Sequence, residues 1–195
     1  STHAFSVTIN KFEDSIYIVS FADISETMLE NMLLEEKTLR DKLTNAYNRE
    51  FFENNYQRLI ETFKSEDMYF GLAMIDIDNF KNINDSYGHN IGDEILINLV
   101  SIINKFSRND DILIRWGGEE FIIILKVSSE NRLNVILENI RKTIEKSKID
   151  KLPTITCSFG GTIYENNEQI NDTIKRADEA LYIAKANGKN KVILK

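Results

Sequence analysis

The chain has 195 residues, 42% hydrophobic and 28% charged, which fits one folded domain of ordinary size plus a fragment and excludes a disordered chain. A formal net charge of −7 disfavours a broad nucleic-acid surface, so any phosphate ligand must be met locally by a few cations and a metal. A single cysteine, Cys157, and two histidines, His3 and His89, exclude an internal disulfide, a cysteine zinc site and histidine-rich metal chemistry. Cys157 lies in an apolar, β-branched stretch and reads as core. No apolar run approaches the roughly 18 residues of a membrane span, and there is no signal peptide. The expectation is a cytoplasmic chain with no membrane segment of its own, from a parent that could be membrane-attached elsewhere.

Residues 4–9 and 15–21 alternate partly and carry β-branched and aromatic side chains around a polar stretch at 11–14, the pattern of a β-hairpin. A lone hairpin is marginal in water, so it is expected to belong to something larger. From 26 to 43 the pattern turns helical, with Met28, Met32, Leu39 and Leu43 at helical spacing and Glu36 breaking the stripe. Dimerisation as a coiled coil and packing against the chain's own domain fit this helix equally. A helix over 48–64 follows, then an apolar strand from Phe70 that ends in Asp76-Ile77-Asp78. Helical segments are expected over 79–106, and a strand, turn and strand over 112–126. Ser128 or Ser129 can cap a helix reaching about 147. Pro153 precedes a strand over 154–164, Asn171 or Asp172 can cap a helix to about 187, and Gly188 fits its stop. A short strand over 191–194 closes the chain. A hairpin among the strands rules out an all-parallel sheet, so the fold class is α+β.

The turn at 115–121, Arg115-Trp116-Gly117-Gly118-Glu119-Glu120-Phe121, sets two carboxylates beside two glycines. A tight hairpin with its glutamates in water explains it as well as a ligand site does. Glycines let a polar ligand approach the backbone, and carboxylates suit a hard metal ion. The second acid cluster at Asp76-Ile77-Asp78 shifts the balance. If the two lie side by side, Asp76 and Glu119 could share ions, and two ions about 3.5–4 Å apart would clamp a phosphoryl group.

These segments resemble the motifs of the GGDEF family, the diguanylate cyclases, with Glu at the third signature position. Asp41-Lys42-Leu43-Thr44 with Asn48-Arg49 resembles the family's opening motif, and Asp76-Ile77-Asp78-Asn79-Phe80-Lys81 its metal strand. Asn84-Asp85-Ser86-Tyr87-Gly88-His89 with Gly92-Asp93 resembles its nucleotide-binding segment. Ser158-Phe159-Gly160-Gly161 resembles its late strand; Arg176-Ala177-Asp178, Ala180-Leu181-Tyr182, Ala184-Lys185 and Gly188-Lys189-Asn190 resemble its last helix and turn. The resemblance covers 41–195 and implies a nucleotidyl-cyclase or polymerase-palm-like βαββαβ core, a mostly antiparallel central sheet flanked by helices. Tyr17 to Ser25, ending Phe21-Ala22-Asp23-Ile24-Ser25, resembles the last strand and exit motif of PAS sensory domains, so 1–25 would be the C-terminal end of one, with an unrelated hairpin as the alternative. The division is thus 1–25 hairpin, 26–43 signalling helix and 44–195 GGDEF domain.

By motif position the resemblance implies condensation of two GTP into cyclic di-GMP and two pyrophosphates, across a homodimer, with two Mg2+ ions per site or Mn2+ in their place. Asp76, the backbone carbonyl of Ile77, and Glu119 would hold the metal; Glu119 would also take the 3′-hydroxyl proton, with Glu120 assisting metal or base. Lys81, Lys185 and Lys189 match positions that meet the triphosphate. The family commonly has Arg where Lys189 stands, so charge is kept and bidentate geometry lost. Asn84 and Asp93 match guanine-reading positions, and Asp93 favours an all-guanine product. Phe80 fits packing on the base or plain core; His89 fits a place near the nucleotide or a cap on the following turn. Arg108 and Asp111, five residues before Gly117, resemble the family's inhibitory product site. A second arginine often stands where this chain has Asn139, which implies lower product affinity or reliance on Arg141. Retained acids favour an enzyme over a catalytically silent GTP- or product-binding GGDEF module, and the signature hairpin disfavours a cyclase acting on one nucleotide.

Overall fold

The computed structural model describes residues 3–13, 16–65, 67–108, 110–148, 152–166 and 168–195. It divides into two compact units, Ser1–Leu39 and Arg40–Lys195. In the first, β1 (Phe5–Glu13) pairs antiparallel with β2 (Ile16–Asp23), and α1 (Ser25–Thr38) follows. Asp14 and Ser15, expected in and after the polar stretch, lie outside the described residues. The register sets Val7 opposite Phe21 and Ile9 opposite Val19, all exposed. The Asp23 carboxylate accepts the Ser25 N–H at 3.0 Å and so starts α1.

The helix expected over 26–43 stops at Thr38. The reason lies just beyond it. Asp41 Oδ1 accepts both the Thr44 N–H, at 2.9 Å, and its hydroxyl, at 2.7 Å. Such a side-chain turn competes with helical hydrogen bonding. Leu43, counted in the helical stripe, packs instead on the core of the larger unit.

That larger unit is built on one sheet with the strand order β3 (Tyr47–Asn48), β5 (Ile112–Arg115), β6 (Glu120–Val127), β4 (Tyr69–Ile77), β7 (Cys157–Ile163) and β8 (Val192–Leu194). The central pairings β5–β6, β6–β4 and β4–β7 are antiparallel, and the edge pairings β3–β5 and β7–β8 are parallel. The fold is the expected α+β class. Both edge pairings bring together segments distant in sequence, and β3 is too short to show any periodicity.

β4 lies in the middle and is apolar along its length because both its faces are covered. Phe70, Leu72 and Met74 point to one side, where they meet Phe52 and Phe63 of α2 (Arg49–Ser65) and Leu181 of α6 (Ile170–Ala186). Ala73, Ile75 and Ile77 point to the other, against Leu99 and Ile103 of α4 (His89–Asn104) and Leu137 and Ile140 of α5 (Glu130–Lys146). Cys157 is fully buried, as expected, and burial pushes its thiol well above the usual range. At Gly160 a Cβ would stand 2.1 Å from the Ala177 carbonyl oxygen, so α6 rests directly on β7. That close approach brings the end of α6 to the end of β4.

Several boundaries differ from expectation. The helical segments expected over 79–106 are α3 (Phe80–Tyr87) and α4, separated at Gly88 with φ 86° and ψ 158°, and the second ends at Asn104 rather than 106. The strand expected from 154 begins at Cys157, because its partner β4 ends at Ile77, opposite Cys157. α6 begins at Ile170 rather than after Asn171 or Asp172, which buries Ile170 in the core. Ser129 caps α5 as expected, its hydroxyl accepting the Arg132 N–H. Gly188 follows the last helix with φ 101°.

Candidate active site

Asp76 is the last-but-one residue of β4 and sits directly opposite Glu120 on β6. Directly opposed residues of an antiparallel pair share a face of the sheet. Asp76 follows Met74 on the face covered by α6, and from that helix Lys185 Nζ reaches Asp76 Oδ2 at 2.7 Å. Burial raises the Asp76 pKa, Lys185 opposes the rise, and the nearby charges of Glu119 and Glu120 add to it. The three acids therefore share one electrostatic site. Both glutamates are half-buried, which departs from a hairpin tip turned wholly to water.

The turn between β5 and β6 is held from several sides. The Trp116 and Gly117 N–H groups donate to the Glu120 carbonyl, at 2.8 and 3.2 Å. Trp116 packs edge-on against Phe52, and the Arg49 guanidinium lies 4.5 Å from its ring centre. Arg115 donates to the Gly118 carbonyl at 2.8 Å and to Asp41 Oδ1 at 2.9 Å. The opening motif thus buttresses the signature turn. In the sequence both segments stand out as motifs, but the opposite charges of Arg115 and Asp41 are the one sign there of their contact.

A cleft of about 500 Å³ opens beside the turn, lined by Phe80, Lys81, Asn84, Asp85, His89, Asp93, Leu96, Arg115, Gly118 and Glu119. It gathers every substrate residue expected from α3 and the first turns of α4, together with Glu119. Phe80 lines the cleft and also belongs to the core. His89 opens α4 and lines the cleft as well. Asn84 Oδ1 is buried without a hydrogen-bond partner, close over Gly92, where a Cβ would stand 2.0 Å away. An unsatisfied amide oxygen costs about 1–3 kcal/mol, which a ligand donor would relieve. Lys185 approaches through Asp76. Lys189 follows α6 and donates to Asn79 Oδ1, where β4 gives way to α3.

Among the described residues no three His, Cys, Asp or Glu side chains converge closely enough to hold an ion by themselves. Magnesium at phosphoryl-transfer sites is commonly held by one or two carboxylates plus substrate phosphates. Asp76 and Glu119 fit that use, and the Lys185 ammonium on Asp76 marks a place that attracts positive charge.

A second cavity, of about 270 Å³, is lined by Arg108, Asp111, Lys126, Arg132, Ile136 and Asn139 among others. Asp111 and Arg108 make a closed turn: Asp111 Oδ2 accepts the Arg108 N–H at 2.8 Å and Oδ1 the Lys126 N–H at 3.3 Å. Burial raises the Asp111 pKa against those bonds. Asn109, inside this motif, lies outside the described residues. Arg132, two turns before Asn139 on α5, brings a cation that sequence reasoning missed. Arg141, by contrast, is not among the residues lining this cavity; it bonds Glu138, Glu145 and Asn190.

Residues 38–191 match the family "Diguanylate cyclase, GGDEF domain". The chain is 35% identical to diguanylate cyclase DgcM of Escherichia coli over 95% of this chain and 45% of that protein. It is also 35% identical to diguanylate cyclase A of Treponema denticola over 100% of this chain and 53% of that protein. The chain thus spans about half the length of these curated relatives. The coiled coil and GGDEF domain of Caulobacter crescentus DgcB, solved with c-di-GMP, superposes with a TM-score of 0.80 at 28% identity, covering 87% of this chain and 93% of that one. The active GGEEF domain of a Vibrio cholerae diguanylate cyclase gives a TM-score of 0.69 at 31% identity, covering 75% and 96%.

Proposed function

We propose, from the chain's membership of the GGDEF diguanylate cyclase family, that it condenses two GTP molecules into cyclic di-GMP and releases two pyrophosphates. The observation that carries this is the cleft. It sets the unsatisfied Asn84 amide and Asp93 with Lys81 and Glu119, beside the acid pair Asp76 and Glu120.

Asp93 accepts from the guanine N1–H and N2–H2 donors, and Asn84 meets the same edge. Adenine lacks those donors, and a site built on such bonds rejects the wrong base by up to about 10⁴–10⁵. Lys81, Lys185 and Lys189 meet the triphosphate. Asp76, the Ile77 carbonyl and Glu119 would hold magnesium, or manganese in its place. The metal, when bound, neutralises charge on the phosphates and supports in-line displacement. Glu119 takes the proton from the 3′-hydroxyl, whose oxygen bonds to the α-phosphorus of the other nucleotide as pyrophosphate leaves. Glu120 supports Glu119 from the neighbouring strand position.

One domain offers one nucleotide site, while the product is symmetric. Two copies therefore face each other about a two-fold axis, each with one GTP. The Arg108 cavity binds the product and feeds back on turnover.

Incubation with GTP and Mg2+, then nucleotide chromatography, tests the proposal. Cyclic di-GMP is expected from GTP and none of its adenine counterpart from ATP, with specific activity rising steeply with protein concentration. Absence of product from dimeric protein would overturn it. Specific activity that stays flat across the monomer–dimer range would overturn the two-copy arrangement alone.

A further inference from the structure

We infer that Asn190 is a positioning residue for Lys189, held for that purpose by Arg141 and Glu145 of α5. The inference rests on the cyclase function proposed above and adds to it a support for one phosphate-binding cation.

After α6 the chain turns through Gly188, Lys189 and Asn190 with φ of 101°, 62° and 47°. Three successive residues are in the left-handed region. Glycine enters it freely and asparagine tolerates it, but lysine does not favour it. On the α6 side the Lys189 N–H donates to the Ala184 carbonyl at 3.0 Å; on the far side the turn is held through Asn190.

Its backbone N–H donates to Asp78 Oδ2 at 3.0 Å, its Nδ2 donates to Glu145 Oε1 at 2.7 Å, and its Oδ1 accepts from Arg141 Nη1 at 2.8 Å. Arg141 is itself fixed, donating to Glu138 Oε2 at 3.1 Å and Glu145 Oε2 at 3.1 Å, with its side chain only 12% exposed. Asp78 is buried and accepts from the hydroxyls of Thr156 at 2.7 Å and Ser158 at 2.6 Å. With three donors on its two oxygens, Asp78 serves as an anchor point rather than a metal ligand, although it follows Asp76 by two residues. The turn is thus tied on one side to the end of β4 and on the other to α5. Between those ties the Lys189 ammonium is delivered to Asn79 Oδ1.

The bland account of the same contacts is that they merely fasten α5 to the sheet. The two differ in whether Asn190 acts through Lys189. The first measurement needs no nucleotide. Arg141→Met should speed hydrogen exchange of the Asn190 amide by about tenfold or more, while amides in the middle of α6 stay protected. Unchanged exchange at Asn190 overturns the inference whether or not the protein turns over GTP.

The second measurement uses turnover. Asn190→Gly keeps the left-handed backbone accessible and removes the side chain. It should raise the KM for GTP by about tenfold with kcat within about threefold. In a Lys189→Ala background the same change should add less than about twofold, because its route is already cut. Multiplying effects would overturn the inference. Asn190→Asp should behave like Asn190→Gly, since it opposes Glu145. Adding Glu145→Gln should restore KM to within about threefold of the parent, because the exchanged pair can form the same hydrogen bond in the opposite direction. No restoration would also overturn it. If the parent makes no cyclic di-GMP, the cyclase function fails, and the exchange measurement still decides whether Arg141 holds the turn through Asn190, which the inference requires.

Discussion

Arg115 reaches back 74 residues to Asp41, Nη1 to Oδ1 at 2.9 Å, while its Nε and Nη2 hold the Gly118 carbonyl at 3.1 and 2.8 Å. One guanidinium therefore ties the start of the larger unit to the tip that carries Glu119. Arg115→Ala should destabilise the fold by about 1–3 kcal/mol, as expected when one partner of a half-buried charged hydrogen bond is removed. Turnover should fall more than that loss of stability explains, because the turn loses its shape. Thermal denaturation beside steady-state kinetics checks both. A fully active Arg115→Ala would show that the turn holds its geometry without this tie.

The acids of the site work against stability. Burial raises the Asp76 pKa, and the charges of Glu119 and Glu120 raise it further despite Lys185. Asp76→Asn should leave the melting temperature at neutral pH unchanged or higher, and abolish turnover. Glu119→Gln should likewise preserve the fold and lower kcat by about 10²–10³, the usual loss when one preorganised electrostatic group goes. A clear drop in melting temperature for Asp76→Asn would mean its ion pair with Lys185 outweighs the crowding.

Acid sensitivity should come from Glu168. Its bonds from Arg176, chiefly, with those from the Glu165 N–H and Thr173, hold its pKa down to about 2 against the opposing effect of burial. The folded value lies below the unfolded one, so the stabilisation is complete above about pH 4.5 and is lost as pH falls from there towards about 2. After allowance for solvent screening it is on the order of 2 kcal/mol. Denaturant titrations at pH 6 and pH 3 should show Glu168→Gln losing much of its deficit relative to the parent at the lower pH. An equal deficit at both would rule out the charge as the source.

The cavity at the open end of the hairpin, beside Asp111 and Lys126, carries Arg108 and Arg132. Arg108→Ala should relieve inhibition by cyclic di-GMP, with the inhibition constant rising by about tenfold or more, as for loss of a charge-assisted contact. Arg132→Ala should weaken it too, since Arg132 supplies a second arginine where Asn139 does not. Initial rates at graded product concentration check this, and uninhibited kcat should stay within about twofold for both. Unchanged inhibition in Arg108→Ala would remove the product site without touching the catalytic assignment.

What was legible in the sequence was whatever depends on neighbours along the chain. A continuous apolar run made 70–77 a covered strand, glycines marked the turn at 117–118, and Ser129 and Gly188 marked helix ends. Ordered motifs named the residues of one cleft before any geometry was known. The helix expected to 43 failed for a local reason as well, because the Asp41 side chain offers the backbone a better-bonded turn.

Tertiary structure decided everything that depends on contacts across the sheet. The pairing of Asp76 with Glu120, and the reach of Lys185 to Asp76, follow from strand order and from α6 resting on Gly160. The same holds for Arg115 with Asp41, for Arg132 in the second cavity, and for the tie from Asp78 through Asn190 to α5. Periodicity places a side chain on a face, since that needs only the local backbone repeat. Which charged group meets it there is set by how distant elements pack, and no local pattern carries that information.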